Sequence, residues 1–172
     1  MNGAAHQPVP GRVVRSLALQ DHVGSIALAR EFTREVVTDS LESRAAAAAA
    51  QAGRPGREAD GLDGNGPEQR QFVDDVLLMV SEVVTNACVH TDGPLGLEVD
   101  CAPDRLRIEV TDPSRTVPVP RNPDPSTPGG FGLFVVERLA KAWGHAPRGD
   151  GKVVWLELEW PKPAPSLGES AT

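Results

Sequence analysis

Glu82 and Asn86 stand one helical turn apart inside an apolar run, Val80-Ser81-Glu82-Val83-Val84-Thr85-Asn86-Ala87, so on a helix both side chains leave from the same side. A carboxylate beside a neutral amide suits a site that holds a magnesium-bound phosphate and accepts a proton from an incoming hydroxyl. The amide ligates without adding charge, and the carboxylate can take the proton. Further along, Gly129-Gly130-Phe131-Gly132 lies between a proline-rich stretch and a helical pattern. Backbone amides there, together with the helix N-terminus, could face an anion. Asp112 closes a strand pattern, where its carboxylate could accept a hydrogen bond from a purine amino group. Each feature also has an ordinary structural reading: a polar helix face, a hinge entering a helix, a turn-starting aspartate before proline. His90 reads as a helix-ending residue beside the last carbonyls, with no second ligand spaced to make a metal site.

The elements that must position these residues can be read from periodicity. Arg12 to Leu19 alternates as an edge strand. Val23 to Leu41 repeats apolar residues at helical spacing, with Asp21 as a candidate cap. Ala45 to Gly66 reads as a flexible insert with at most a frayed helical start in its helix-favouring alanine run, because seven glycines and prolines from Gly53 to Pro67 crowd in behind it. Pro67 suits a first helical turn, and Phe72, Val73, Val76, Leu77, Val80, Val83, Val84 and Ala87 form the apolar stripe of a second helix running to about His90. On a wheel, Asp75, Glu82 and Asn86 fall opposite that stripe, flanked by Leu78 and Met79 and free of Lys or Arg, as in the wall of a partly covered cleft.

Leu95 to Val99 and Leu106 to Val110 alternate around the turn Ala102-Pro103-Asp104 and predict an antiparallel hairpin. Six prolines between Asp112 and Gly129 impose a loop. Gly132 to Trp143 reads as a third helix ended by Gly144, and Gly149-Asp150-Gly151 turns into a last strand through Val153, Trp155, Leu158 and Trp160.

At 172 residues and 40% apolar content the chain suits one domain, residues 12–160, between disordered tails at 1–11 and 161–172. A net charge of -7 and a pI near 5.1 argue against nucleic-acid binding and anionic membranes. No stretch is apolar for the length a membrane span needs, and no secretion signal is visible, so a cytoplasmic location is expected. Cys88 and Cys101, each in an apolar pattern without short metal-ligand pairing, read as reduced core thiols.

The order of these motifs resembles the ATP-binding domain shared by histidine kinases, gyrase, the heat-shock chaperones and the mismatch-repair ATPases. The resemblance is to its compact bacterial form, the RsbW-type anti-sigma-factor serine/threonine kinases, and covers Arg12 to Glu159. It is strongest in Ser81-Glu82-Val83-Val84-Thr85-Asn86-Ala87, Val110-Thr111-Asp112, Gly130-Phe131-Gly132-Leu133, Leu139-Ala140-Lys141-Ala142-Trp143-Gly144 and Gly151-Lys152-Val153-Val154-Trp155. It implies an α+β two-layer sandwich, with helices on one face of a mixed, mostly antiparallel sheet.

It also implies roles for individual residues. Asn86 would ligate Mg2+ bridging the ATP phosphates, Glu82 would position or deprotonate the attacking hydroxyl, and Asp112 would bind the adenine amino group. Gly130 and Gly132 would let backbone approach the phosphates, with Leu133 beside them. Lys152 joins the ATP-binding set, and with Arg115 and Arg121 could add positive charge near the phosphates, although all three also read as solvated loop or strand-edge residues. The implied partners are an anti-sigma-factor antagonist as substrate and a sigma factor as a sequestered protein, with a homodimer expected. One departure stands out: where the family pattern has glycine two residues after the aspartate, this chain has Pro113 and then Ser114. That motivates an alternative reading as a nucleotide-gated binding module without transfer.

Overall fold

Alternating apolar residues become strands and residues recurring every three to four become helices across most of the chain. The computed structural model describes residues 11–20, 24–51, 66–117 and 132–162. Within them, in chain order, lie strand β1 (Val13–Ala18), helices α1 (Ser25–Gln51) and α2 (Pro67–His90), strands β2 (Gly96–Cys101) and β3 (Leu106–Asp112), helix α3 (Gly132–Leu139), and strands β4 (Ala142–Arg148) and β5 (Gly151–Leu158). The strands form one sheet in the order β1-β2-β3-β5-β4. Every pairing in it is antiparallel, so among the described residues the sheet lacks the parallel pair that a mixed sheet would have. With the helices packed on that sheet, the architecture is the expected α+β two-layer sandwich.

Register decides which side chains meet the helices. Val99 lies opposite Ile108 and Ile108 opposite Leu156, while Leu97 pairs with Val110 and Val110 with Val154. All six are buried. From the other layer, α2 contributes Val73, Val76, Leu77, Met79, Val80, Val83, Val84 and Ala87, and α1 adds Ala29, Val36, Val37 and Leu41. Each large apolar side chain so covered stabilises the fold by about 1.5–3 kcal/mol relative to exposure. One end of the sandwich is sealed by Trp160, whose Nε1 donates to the Ala102 carbonyl at 2.8 Å. Phe72 packs on that ring at 5.6 Å and the Arg44 guanidinium lies 4.7 Å from its centroid.

The opposite face of the sheet is covered by its own long side chains. Arg107 lies over the Trp155 ring at 4.4 Å, donates to Glu109 at 2.8 Å and to Glu157 at 2.7 Å, and Arg148 also donates to Glu109. Gly144 opposite Trp155 makes room for the indole, since a Cβ there would sit 2.7 Å from a ring carbon.

Several expectations require correction. The alanine run at 45–50 continues α1 to Gln51 rather than opening a connector, because alanine favours helix and Arg44 ties this turn to the Pro103 carbonyl at 2.8 Å. Helix α3 ends at Leu139 instead of continuing to Trp143, and Ala142 to Arg148 is the edge strand β4. Cys88 is exposed rather than a core thiol, whereas Cys101 is buried and burial pushes its thiol pKa up. Met79 lies in the core instead of flanking the polar face, while Leu78 is exposed. Asp21, Arg121, Gly130, the rest of the insert from 52 to 65 and almost all of both expected tails lie outside the described residues.

Candidate functional site

Helix α2 carries the site, and both of its ends are set by local chemistry. Pro67 opens the helix, and the Gly66 carbonyl accepts the amides of Gln69 and Arg70 at 3.1 Å each. At the far end the Thr91 amide and hydroxyl both donate to the Ala87 carbonyl, at 3.1 and 2.6 Å. The chain then turns through Gly93, whose φ of 99° is left-handed. Between these stops the helix is pinned to α1 just before Glu82. Arg30 donates to the Ser81 hydroxyl at 2.6 Å and to the Leu77 carbonyl at 3.1 Å. No local pattern marks Arg30, because a lone arginine on a helix reads as solvated until the partner helix is in place.

Glu82 and Asn86, both half-buried, converge on the first residue of α3. A Cβ built on Gly132 would lie 2.6 Å from Glu82 Oε2, 3.2 Å from Glu82 Cβ and 3.3 Å from the Asn86 side-chain nitrogen. A carboxylate, an amide and the N-terminus of a helix therefore share one small volume. Unbonded amides and the helix dipole make such a terminus attractive to anions. Leu133 follows Gly132 and is buried. Asp75, grouped with Glu82 and Asn86 on the wheel, does not join them: it accepts from Gln71 at 2.7 Å and lines a separate cavity with Phe72, Leu139 and Lys141.

The strand ends supply the second half of the site. Asp112 ends β3 directly opposite Lys152 at the start of β5. Gly96 pairs with Thr111, so the start of β2 after α2 lies at this same end of the sheet. Lys152 is not solvated: its Nζ donates to Asp112 Oδ1 at 2.8 Å, with 8% and 4% of the two side chains exposed. The Ser114 amide donates to the same Oδ1 at 2.9 Å, and Nζ also reaches the Ser114 carbonyl at 3.2 Å. The Pro113-Ser114 departure thus forms an Asx turn that uses one carboxylate oxygen and leaves Oδ2 outside these bonds. Gly151 is required here, since a Cβ would stand 2.0 Å from the Asp112 carbonyl oxygen and 2.9 Å from Pro113 Cα. Arg115 lies exposed, donating to the Asp150 carbonyl at 3.0 Å.

A family model of the histidine kinase-like ATPase domain matches residues 25–158, a span containing Glu82, Asn86, Asp112, Gly132 and Lys152. The chain belongs to the histidine kinase-like ATPase domain family. No curated protein matches it. For a histidine kinase-like ATPase domain ATP is the expected ligand, and the residues present fit it. Asn86 offers a neutral side-chain amide beside a helix N-terminus, and Asp112 is a buried carboxylate whose Oδ2 lies outside the bonds described. No cluster of three His, Cys, Asp or Glu among the described residues could cage a metal. A Mg2+ ion at this site would be carried largely by the nucleotide's own phosphates, its usual coordination. No helix among the described residues is long and apolar enough to cross a membrane.

Proposed function

We propose that this protein is an ATP- and Mg2+-dependent serine/threonine protein kinase of the anti-sigma-factor type. Its substrate is an anti-sigma-factor antagonist, and a sigma factor is the protein it sequesters. The observation that carries this reading is the convergence of Glu82 and Asn86 on Gly132 at the head of α3, because a carboxylate able to accept a proton and an amide able to ligate Mg2+ then stand beside one helix N-terminus suited to phosphate. Phosphoryl transfer asks mainly for positioning and charge neutralisation, so this small set of side chains suffices.

Asn86 would hold Mg2+, whose chemistry is neutralisation of the phosphate charge. The substrate hydroxyl oxygen bonds to the terminal phosphorus, the bond from that phosphorus to the bridging oxygen breaks, ADP leaves, and Glu82 takes the hydroxyl proton. The test is transfer of labelled terminal phosphate to the cognate antagonist. Glu82→Ala is expected to keep ATP binding and lose transfer by about 100-fold or more. Transfer at the normal rate by that variant would remove Glu82 from the role.

A nucleotide-gated binding regulator without transfer is the second reading. It is favoured by Pro113 and Ser114 standing where the family pattern has glycine. ATP-dependent capture of the antagonist with no labelled product would select it.

A further inference from the structure

Lys152 carries a role that its place in the sequence does not suggest. Its ammonium has three protons, and among the described residues two are directed at Asp112 Oδ1 and the Ser114 carbonyl. Both partners belong to the segment where β3 leaves the sheet. We propose that Lys152 is a positioning residue for base selection: by occupying Asp112 Oδ1 it holds the carboxylate so that Oδ2 is presented as an acceptor that admits a 6-amino purine and opposes a 6-oxo purine. This rests on the nucleotide-binding reading of the site.

The chemistry comes from what an aspartate can offer. An ionised carboxylate only accepts, so it pairs with the amino group of adenine and opposes the carbonyl of hypoxanthine. The ammonium ties Asp112 Oδ1 to the Ser114 carbonyl and so fixes the plane of the carboxylate, with Oδ2 pointing out of the turn. Without it, the Ser114 amide is the one donor described on Oδ1, the carboxylate can rotate about its Cβ–Cγ bond, and Oδ2 loses its aim. The hydrogen bond to a 6-amino group is then weakened and the opposition to a 6-oxo group relaxed. Lys152 therefore acts through Asp112, at the base and not at the phosphates.

The experiment measures affinity for ATP, for inosine triphosphate and for inorganic tripolyphosphate, each with Mg2+, in the full chain and in Lys152→Met, Lys152→Gln and Lys152→Arg. The wild-type protein should prefer ATP over inosine triphosphate. Lys152→Met should narrow that preference by about tenfold, the scale of one buried hydrogen bond, while tripolyphosphate affinity stays unchanged. Lys152→Gln, which keeps much of the volume but is uncharged and one bond too short to tie Oδ1 to the Ser114 carbonyl, serves if the methionine variant does not fold, and should narrow the ratio in the same direction. Lys152→Arg should preserve it. A purely structural role would weaken all three ligands together and leave the ratio fixed, and that result overturns the proposal. If the wild-type protein binds tripolyphosphate or ATP without distinguishing the bases, base selection alone fails. If it binds no nucleotide, the ATP-site reading fails first.

Discussion

Gly132→Ala separates the two things a glycine can do. The residue does not have a left-handed φ, so the backbone would accept alanine, and a glycine-to-alanine change inside a helix ordinarily gains about 0.5–1 kcal/mol. Against that stands the space: the new Cβ would lie 2.6 Å from Glu82 Oε2 and 3.2 Å from Glu82 Cβ, where ordinary contact begins at 3.4 Å. The carboxylate oxygen must retreat by about 0.8 Å and α2 or α3 by a few tenths, an overpacking cost of about 1–3 kcal/mol. The two terms oppose each other, leaving a net loss of about 0–2.5 kcal/mol. Function should fall much further, since misplacing a reacting group by about 1 Å costs on the order of 100-fold. Thermal unfolding, with calorimetric ATP binding and phosphate transfer on the same preparation, gives both quantities. A variant that binds ATP and transfers phosphate as the wild type does would refute the placement of Gly132 against the reacting groups.

Two further outcomes test the frame around the site. Gly151→Ala meets backbone on two sides, the Asp112 oxygen at 2.0 Å and Pro113 Cα at 2.9 Å. Neither atom can swing away as a side chain can, so the loss should reach or exceed the upper part of the usual range of about 1–3 kcal/mol for overpacking, read as a lowered Tm. Burial pushes the Glu109 carboxyl pKa up, but hydrogen bonds from Arg107 and Arg148 outweigh it and hold the group below its ordinary 4.5. Its contribution is therefore complete above that value and lost as pH falls through the depressed one. Glu109→Gln should flatten the dependence of urea stability on pH below about 4.5, and an unchanged slope would count against the ion-pair account.

The parts of the fold governed by local pattern are legible in the sequence: the stripe of α2, the β2–β3 hairpin, the edge strand β1 and the turn at Gly149 to Gly151. The parts that are not legible depend on distant partners. Ala142 to Arg148 has little strand pattern of its own, with Gly144 and Pro147 inside it, and becomes a strand because β5 offers an edge. Gly144 is there for the Trp155 indole rather than to stop a helix. Lys152, next to a glycine turn, looks solvated by every local rule. Only the antiparallel register that sets it opposite Asp112 buries it. The convergence of Glu82 and Asn86 on one side is legible because four-residue spacing is a property of the helix alone. That Gly132 closes against them depends on how α3 packs, which no spacing encodes.

Helix α2 runs without interruption from Pro67 to His90, and the same turns that bury Val80, Val83 and Val84 present Glu82 and Asn86. Its length is therefore part of the chemistry. One residue inserted between Pro67 and Glu82 would rotate everything beyond it by about 100°, carrying both side chains away from Gly132 and forcing valines out of the core. The phase of a single helix thus ties the integrity of the core to the alignment of the site. A helix in this position admits substitutions on its faces but no change of length between Pro67 and Asn86.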